Sequence, residues 1–201
     1  MTRISTPPLV LASSSPYRRE LLTRLRIPFS IDRPATDETP QPEESARTLA
    51  LRLALSKAHA VATRHPGALI IGSDQALFHQ GRLLGKPGNF ENALNQLKSM
   101  RGQTVHFHTA LCLLDTRDQT HQLLDVPTIV RFRDLPEDEL VNYLHAEQPY
   151  DCAGSAKSEG LGISLIESIE GDDPNALIGL PLIALISMLR KVGYPLLKTA
   201  Q

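Results

Sequence analysis

Residues 9–22 read LVLASSSPYRRELL, and this stretch constrains the chain more than any other. Leu9, Val10, Leu11 and Ala12 have the length and apolarity of a short buried strand. Three serines and Pro16 follow, then Leu21, Leu22 and Leu25 at helical spacing. A Ser before Pro starts a helix well: the hydroxyl caps it, and the missing proline N–H costs nothing in the first turn. The chain therefore passes from strand to helix through a hydroxyl-rich turn that also carries Arg18 and Arg19. A helix N-terminus offers free N–H groups and a partial positive charge. Serine hydroxyls and a guanidinium fork add donors. The combination suits a polyanion such as a phosphate chain; an ordinary capped helix with surface arginines uses the same residues.

The totals set bounds. The 201 residues are enough for one sizeable core or two small lobes. A formal net charge of −1 gives no electrostatic case for duplex nucleic acid as a partner. Cys112 and Cys152 are the only cysteines, too few for a disulfide framework, so a reducing cytoplasm is the expected setting. No leader-like apolar run and no membrane-spanning run is found, and no membrane partner is expected.

Further along, 27–31 suggests a short strand, and 32–44 is a proline-rich loop carrying Asp37 and Glu38. Residues 45–65 read as a long helix that Ser45 caps and Pro66-Gly67 stops. Its apolar face collects Ala46, Leu49, Ala50, Leu53, Ala54, Ala60 and Val61, with Lys57 in the middle. A lysine there either snorkels outward or reaches an anion in a cleft. Residues 68–71 suggest a buried strand, with Ser73-Asp74-Gln75 at its C-terminal end, where open α/β sheets bind ligands. A carboxylate there needs a cation or donors. Asp74 is thus a candidate metal ligand or general base, or else caps a turn. A hairpin is expected to turn at Gln80-Gly81, and the loop 85–88 presents Lys86 without forming a Walker motif.

Phe90, Ala93, Leu94 and Leu97 have helical spacing, and Gly102 ends that helix. Residues 104–115 and 119–133 read as paired strands. His106 and His108 share a strand face but have no third ligand nearby, so ordinary strand histidines are expected. Asp134 is a candidate cap, with Glu137 as the capping-box acid, for a helix ending near His145. The small, polar loop 149–162 carries Asp151, Lys157 and Glu159, and a loop of this length is usually functional or mobile. A strand over 163–169, a turn at 171–175 and a final helix opened by Gly179-Leu180-Pro181 complete the reading.

Ser13 to Arg18, Glu38, Lys57, Ser73-Asp74-Gln75, Gly85-Lys86-Pro87, Ala153-Gly154 through Glu159-Gly160, and Gly179 to Leu182 resemble, in order, the Maf nucleoside-triphosphate pyrophosphatases. Tyr17, Gln75 and Glu159 match the subgroup that hydrolyses 7-methyl-GTP to 7-methyl-GMP and pyrophosphate; the pyrimidine-directed subgroup has Arg, Thr and Gln there. The resemblance implies an α/β fold with a curved mixed β-sheet and flanking helices. It would form a single Maf-type domain over 1–201, with two lobes around a central cleft. It also implies a divalent cation, magnesium or manganese, and a possible homodimer.

On that resemblance, Ser13, Arg18, Lys57 and Lys86 would hold phosphates, and Glu38 and Asp74 would ligate the metal. Asp74 would be the proton acceptor, although a bare carboxylate near its reference pKa of ~4 is a poor base at neutral pH. Asp74 would otherwise orient a water whose pKa the metal lowers. Tyr17 would stack on the cationic methylated base, Glu159 would accept from its N1–H and NH₂ edge, and Gln75 would select by hydrogen bonding. Alternatives are a pyrophosphatase for dTTP, UTP or other modified nucleotides, and a nucleotide-binding regulator of septum formation. Cysteine chemistry at Cys152 ranks third.

Overall fold

The computed structural model describes residues 6–197. Strand β1 (Leu9–Ala12) leads through the serine turn into α1 (Pro16–Thr23), and Ser15 caps that helix by accepting from the Arg18 amide. Strand β2 (Ser30–Asp32) follows and is shorter than its apolar run suggests. Helix α2 (Ala46–Ala62) starts at its Ser45 cap, and Ser45 Oγ accepts from the Thr48 amide. Strand β3 (Leu69–His79) pairs with the two-residue β4 (Arg82–Leu83) through a hairpin in which Gln80 and Gly81 both have positive φ. Helix α3 (Phe90–Met100) precedes the long antiparallel pair β5 (Thr104–Asp115) and β6 (Thr120–Phe132). Helix α4 (Glu137–Glu147), two short 3₁₀ turns, β7 (Ile166–Glu170) and α5 (Leu182–Lys191) end the described chain.

The seven strands form one open mixed sheet, ordered β2-β1-β3-β5-β6-β7, with β4 paired to the end of β3. β1 runs parallel to β2 and β3; every pairing from β3 onward is antiparallel. Helix α2 packs on one face, over Val10, Ile70 and Leu114. Helices α1 and α5 cover the other, over Leu11, Ile71 and Leu113. A third cluster joins α3 and α4 to Leu77, Phe107 and Val130 at the far end of the long strands. The arrangement is the α/β class with a mixed sheet and flanking helices.

Three further local readings differ. The triplet Ser73-Asp74-Gln75 lies inside β3, because β5 pairs with residues 69–78 without a break. Only the parallel pairing with β1 ends just before it, at Gly72. Asp134 does not cap α4; Pro136 occupies the N-cap position and no side chain caps it. Residues 161–165 form a 3₁₀ turn, so the last strand starts three residues later than its apolar run suggests, at Ile166.

Candidate active site

The period-two alternation of β3 builds the site. Ile70 and Gly72 face α2, so Asp74 faces it too; Ser73 and Gln75 point to the opposite side. Helix α2 lies close: a Cβ on Gly72 would sit 2.1 Å from the Ala54 carbonyl oxygen. This contact is possible because Ala50, Ala54 and Ala58 give α2 a small-residue face. Lys57 is one residue from Ala58, and its ammonium reaches the sheet.

Lys57 Nζ donates to Asp74 Oδ1 at 2.6 Å and pairs with Glu38 Oε1 at 2.8 Å. Lys57 is 6% exposed and Asp74 7%, whereas the Glu38 side chain is 58% exposed. A buried charge of this kind needs a partner, and the two acids supply it. No described residue donates to Asp74 Oδ2. Burial raises the Asp74 carboxyl above the usual carboxylate range, against the pull of Lys57 and Arg18. The Glu38 loop is fastened to α2 by Arg52, which sequence reasoning missed. Its Nε and Nη2 donate to the two Glu44 oxygens at 2.7 Å each, and Nη2 also reaches the Thr39 carbonyl.

On the other side of β3, the Gly179 carbonyl accepts from Arg18 Nε at 2.8 Å and from Ser73 Oγ at 2.9 Å. Gly179 has φ of +118°, a conformation side-chain-bearing residues rarely adopt, which accounts for glycine there. Gln75 Nε2 is committed to the Ala176 and Leu177 carbonyls and to Thr109 Oγ1, so its amide can offer a nucleotide only its acceptor oxygen. Tyr17 donates to Asp151 Oδ1 at 3.1 Å, and Lys157 Nζ lies 5.9 Å from the Tyr17 ring centroid.

One cleft of about 540 Å³ joins these parts: Ser13, Tyr17, Arg18, Glu38, Lys57, Asp74, Gln75, Lys86 and Glu159 all line it. Lys86 and Glu159 sit at its rim with much of their surface exposed, and partial desolvation raises the Glu159 carboxyl. Ser13 Oγ already accepts from the Ser15 amide, and the turn that it stabilises lies in the lining. Burial pushes the Cys152 thiol up to about 12, so it is not a nucleophile at neutral pH. His108 pairs with Asp125 at 2.9 Å, and among the described residues no group of three or more His, Cys, Asp or Glu is placed to hold a metal. Among the described residues, only Glu38 and Asp74 converge on one cation, and that cation is the Lys57 ammonium. Two hard carboxylates suit magnesium, which takes few protein ligands and completes its shell with phosphate and water.

Comparison with known proteins decides the family. The family described as Maf-like protein matches residues 8–192. The chain belongs to the Maf family. Curated relatives of this Maf protein include one from Ralstonia nicotianae, 63% identical over 94% of this chain and 98% of its own. Another, from Cupriavidus pinatubonensis, is 60% identical over 97% and 98%, and one from Paraburkholderia xenovorans is 61% identical over 95% of each chain. All three are named 7-methyl-GTP pyrophosphatase. In the Maf protein described here, no helix among the described residues is long and apolar enough to cross a membrane.

Proposed function

We propose that this Maf protein is a nucleoside-triphosphate pyrophosphatase that cleaves 7-methyl-GTP between its α- and β-phosphates, giving 7-methyl-GMP and pyrophosphate. The observation that carries the reading is the Lys57 ammonium held between Asp74 and Glu38 in a cleft shared with Arg18 and Lys86. A pure binding module for a polyanion has no use for two carboxylates beside the phosphates, whereas hydrolysis needs a proton acceptor. The names of the relatives support the choice of nucleotide.

In this reading Arg18 is fixed through Nε and offers its Nη donors to the phosphates. Lys86 adds charge from the rim. Lys57 holds Asp74 through Oδ1, leaving Oδ2 to take the proton from the water aimed at the α-phosphorus. Burial makes this carboxylate more basic than a free one, which favours the proton-acceptor role. In the alternative role for Asp74, its Oδ2 would join Glu38 in holding a divalent cation, which when bound neutralises triphosphate charge and lowers the pKa of bound water. At the base end, the Gln75 and Glu159 acceptors match the donors of guanine, and the Tyr17 face matches the positive charge that N7-methylation adds.

The test is a hydrolysis panel with pyrophosphate detection: 7-methyl-GTP, GTP, UTP and dTTP, with and without magnesium. The reading expects 7-methyl-GTP to be the best substrate and Asp74→Asn to abolish turnover while remaining folded. Preference for UTP or dTTP overturns the base assignment. Near-normal turnover of Asp74→Asn removes Asp74 from the chemistry.

A further inference from the structure

We propose that Gln96 is a positioning residue that sets the spacing between the phosphate wall and the base wall of the cleft. The inference rests on the roles given above to Lys86 and Glu159. Gln96 lies on α3, behind the cleft rather than in its lining. Its Nε2 donates to the carbonyl of Gly85, the residue before Lys86, at 3.0 Å. Its Oε1 accepts from Ser155 Oγ at 2.6 Å, in the loop that leads to Glu159. Four residues earlier on the same helix face, Asn92 Nδ2 donates to the Pro87 carbonyl at 3.0 Å. The carbonyls on both sides of Lys86 are therefore tied to one rigid helix.

The tie continues into the second loop. Ser155 is fully buried and has φ of +57°, a conformation unfavourable for a residue with a side chain. Its hydroxyl points at Gln96 despite that strain. The Ser155 carbonyl accepts from the Tyr143 hydroxyl at 3.1 Å, and that hydroxyl oxygen accepts from the Lys157 amide at 3.0 Å. An unbroken run of hydrogen bonds thus joins Gly85, Gln96, Ser155, Tyr143 and Lys157. A carboxamide suits the central position, because one group must donate to a carbonyl at one end and accept from a hydroxyl at the other. Glutamate at 96 keeps the acceptor and loses the donor; leucine loses both. A nucleotide touching Lys86 and Glu159 together meets a gap whose width this run fixes.

Three variants separate the two halves. Gln96→Glu breaks the tie to Gly85 and keeps that to Ser155. Ser155→Gly does the reverse and relaxes the positive φ. Gln96→Leu breaks both. A misplacement of ~1 Å costs on the order of 100-fold in rate, so a loop loosened by a fraction of that costs about tenfold. Gln96→Glu is expected to lower kcat/KM about tenfold for 7-methyl-GTP and GTP alike, with their ratio unchanged. Ser155→Gly is expected to lower the ratio of 7-methyl-GTP to GTP. In a Lys86→Ala background Gln96→Glu adds less than about twofold, since both act through one group. Amide hydrogen exchange supplies a readout independent of activity: protection falls over 84–88 in Gln96→Glu and over 153–160 in Ser155→Gly. Folded Gln96→Leu with unchanged rate, ratio and exchange overturns the proposal, as does full additivity with Lys86→Ala. If Lys86→Ala itself turns over normally, the role of Lys86 falls. The tie is then judged by exchange alone: faster exchange over 84–88 supports it and unchanged exchange overturns it.

Discussion

Replacing Lys57 with Met tests the centre of the site without measuring catalysis. The ammonium is 6% exposed and lies 2.6 Å from an Asp74 oxygen that has no other donor. Met preserves the length of the stem and removes the charge. Asp74 then stays buried without its close cation, and breaking a buried pair from one side costs about 3–5 kcal/mol. The low end applies, because Arg18 still acts on Asp74 and the other partner, Glu38, is mostly exposed and returns to water. About 3 kcal/mol corresponds to a fall of roughly 6–12 °C in Tm for a chain of this size. The double variant Lys57→Met, Asp74→Asn removes both charges and is expected to regain about 2 kcal/mol of that loss.

The pH dependence has a definite sign. Burial already raises the Asp74 carboxyl, and removing Lys57 raises it further. A carboxyl whose folded pKa exceeds its unfolded one binds extra protons when folded, so stability falls as pH rises from the unfolded value towards the folded one. The Lys57→Met protein should therefore be least destabilised at mildly acid pH and most destabilised above the raised pKa. Thermal unfolding without nucleotide, at several pH values, measures this. A Tm drop below about 2 °C at neutral pH, or no recovery in the double variant, refutes the idea that Asp74 depends on this cation.

Three further expectations follow from the same geometry. Gly72→Ala places a methyl 2.1 Å from the Ala54 carbonyl, so α2 must retreat. Denaturant unfolding should show a loss of at least about 1–3 kcal/mol, with reduced turnover as Lys57 draws away from Asp74; unchanged stability counts against the close approach. Arg52 holds the Glu44 carboxyl down at about 2. A depressed carboxyl stabilises the fold above its unfolded pKa and loses that contribution as pH falls towards the folded value. Arg52→Met should therefore flatten the acid limb of stability between about pH 4 and pH 2. Glu159→Gln puts a donor where guanine needs an acceptor and should reduce the preference for 7-methyl-GTP more than overall turnover; an unchanged substrate profile removes Glu159 from base selection.

Much of the architecture was legible in the sequence because local signals agreed with it. The serine cap before Pro16, the apolar face of 46–62 and the Gln80-Gly81 turn are each decided within a few residues. Lys57 on an apolar face left two outcomes, an outward reach or an anion in a cleft, and Asp74 supplies the second. The misreadings have a common cause. Ser73-Asp74-Gln75 looked like the end of a strand because three polar residues interrupt an apolar run. Pairing with β5, more than thirty residues away, carries the strand through them. The Asp134 capping box failed because Pro136, inside the box, takes the N-cap position itself, so that the helix begins at Glu137 and Asp134 lies outside it. Arg52 and Gln96 carried no signal at all: an arginine and a glutamine on helix surfaces acquire meaning only from the carbonyls that they meet.

The Gly179 carbonyl has a consequence for how the protein matures. It is the acceptor that orients Arg18, across 161 residues of chain, and, across 106, one of the two carbonyls within reach of the Ser73 hydroxyl, the other being that of Ala110. During synthesis the first strand, its turn and the whole of β3 emerge long before their anchor exists. Until Gly179 has been added and has emerged, the guanidinium lacks the carbonyl that sets its direction. A nascent chain stalled before Gly179 would therefore carry the serine turn, Arg18 and Ser73 without the carbonyl that they share.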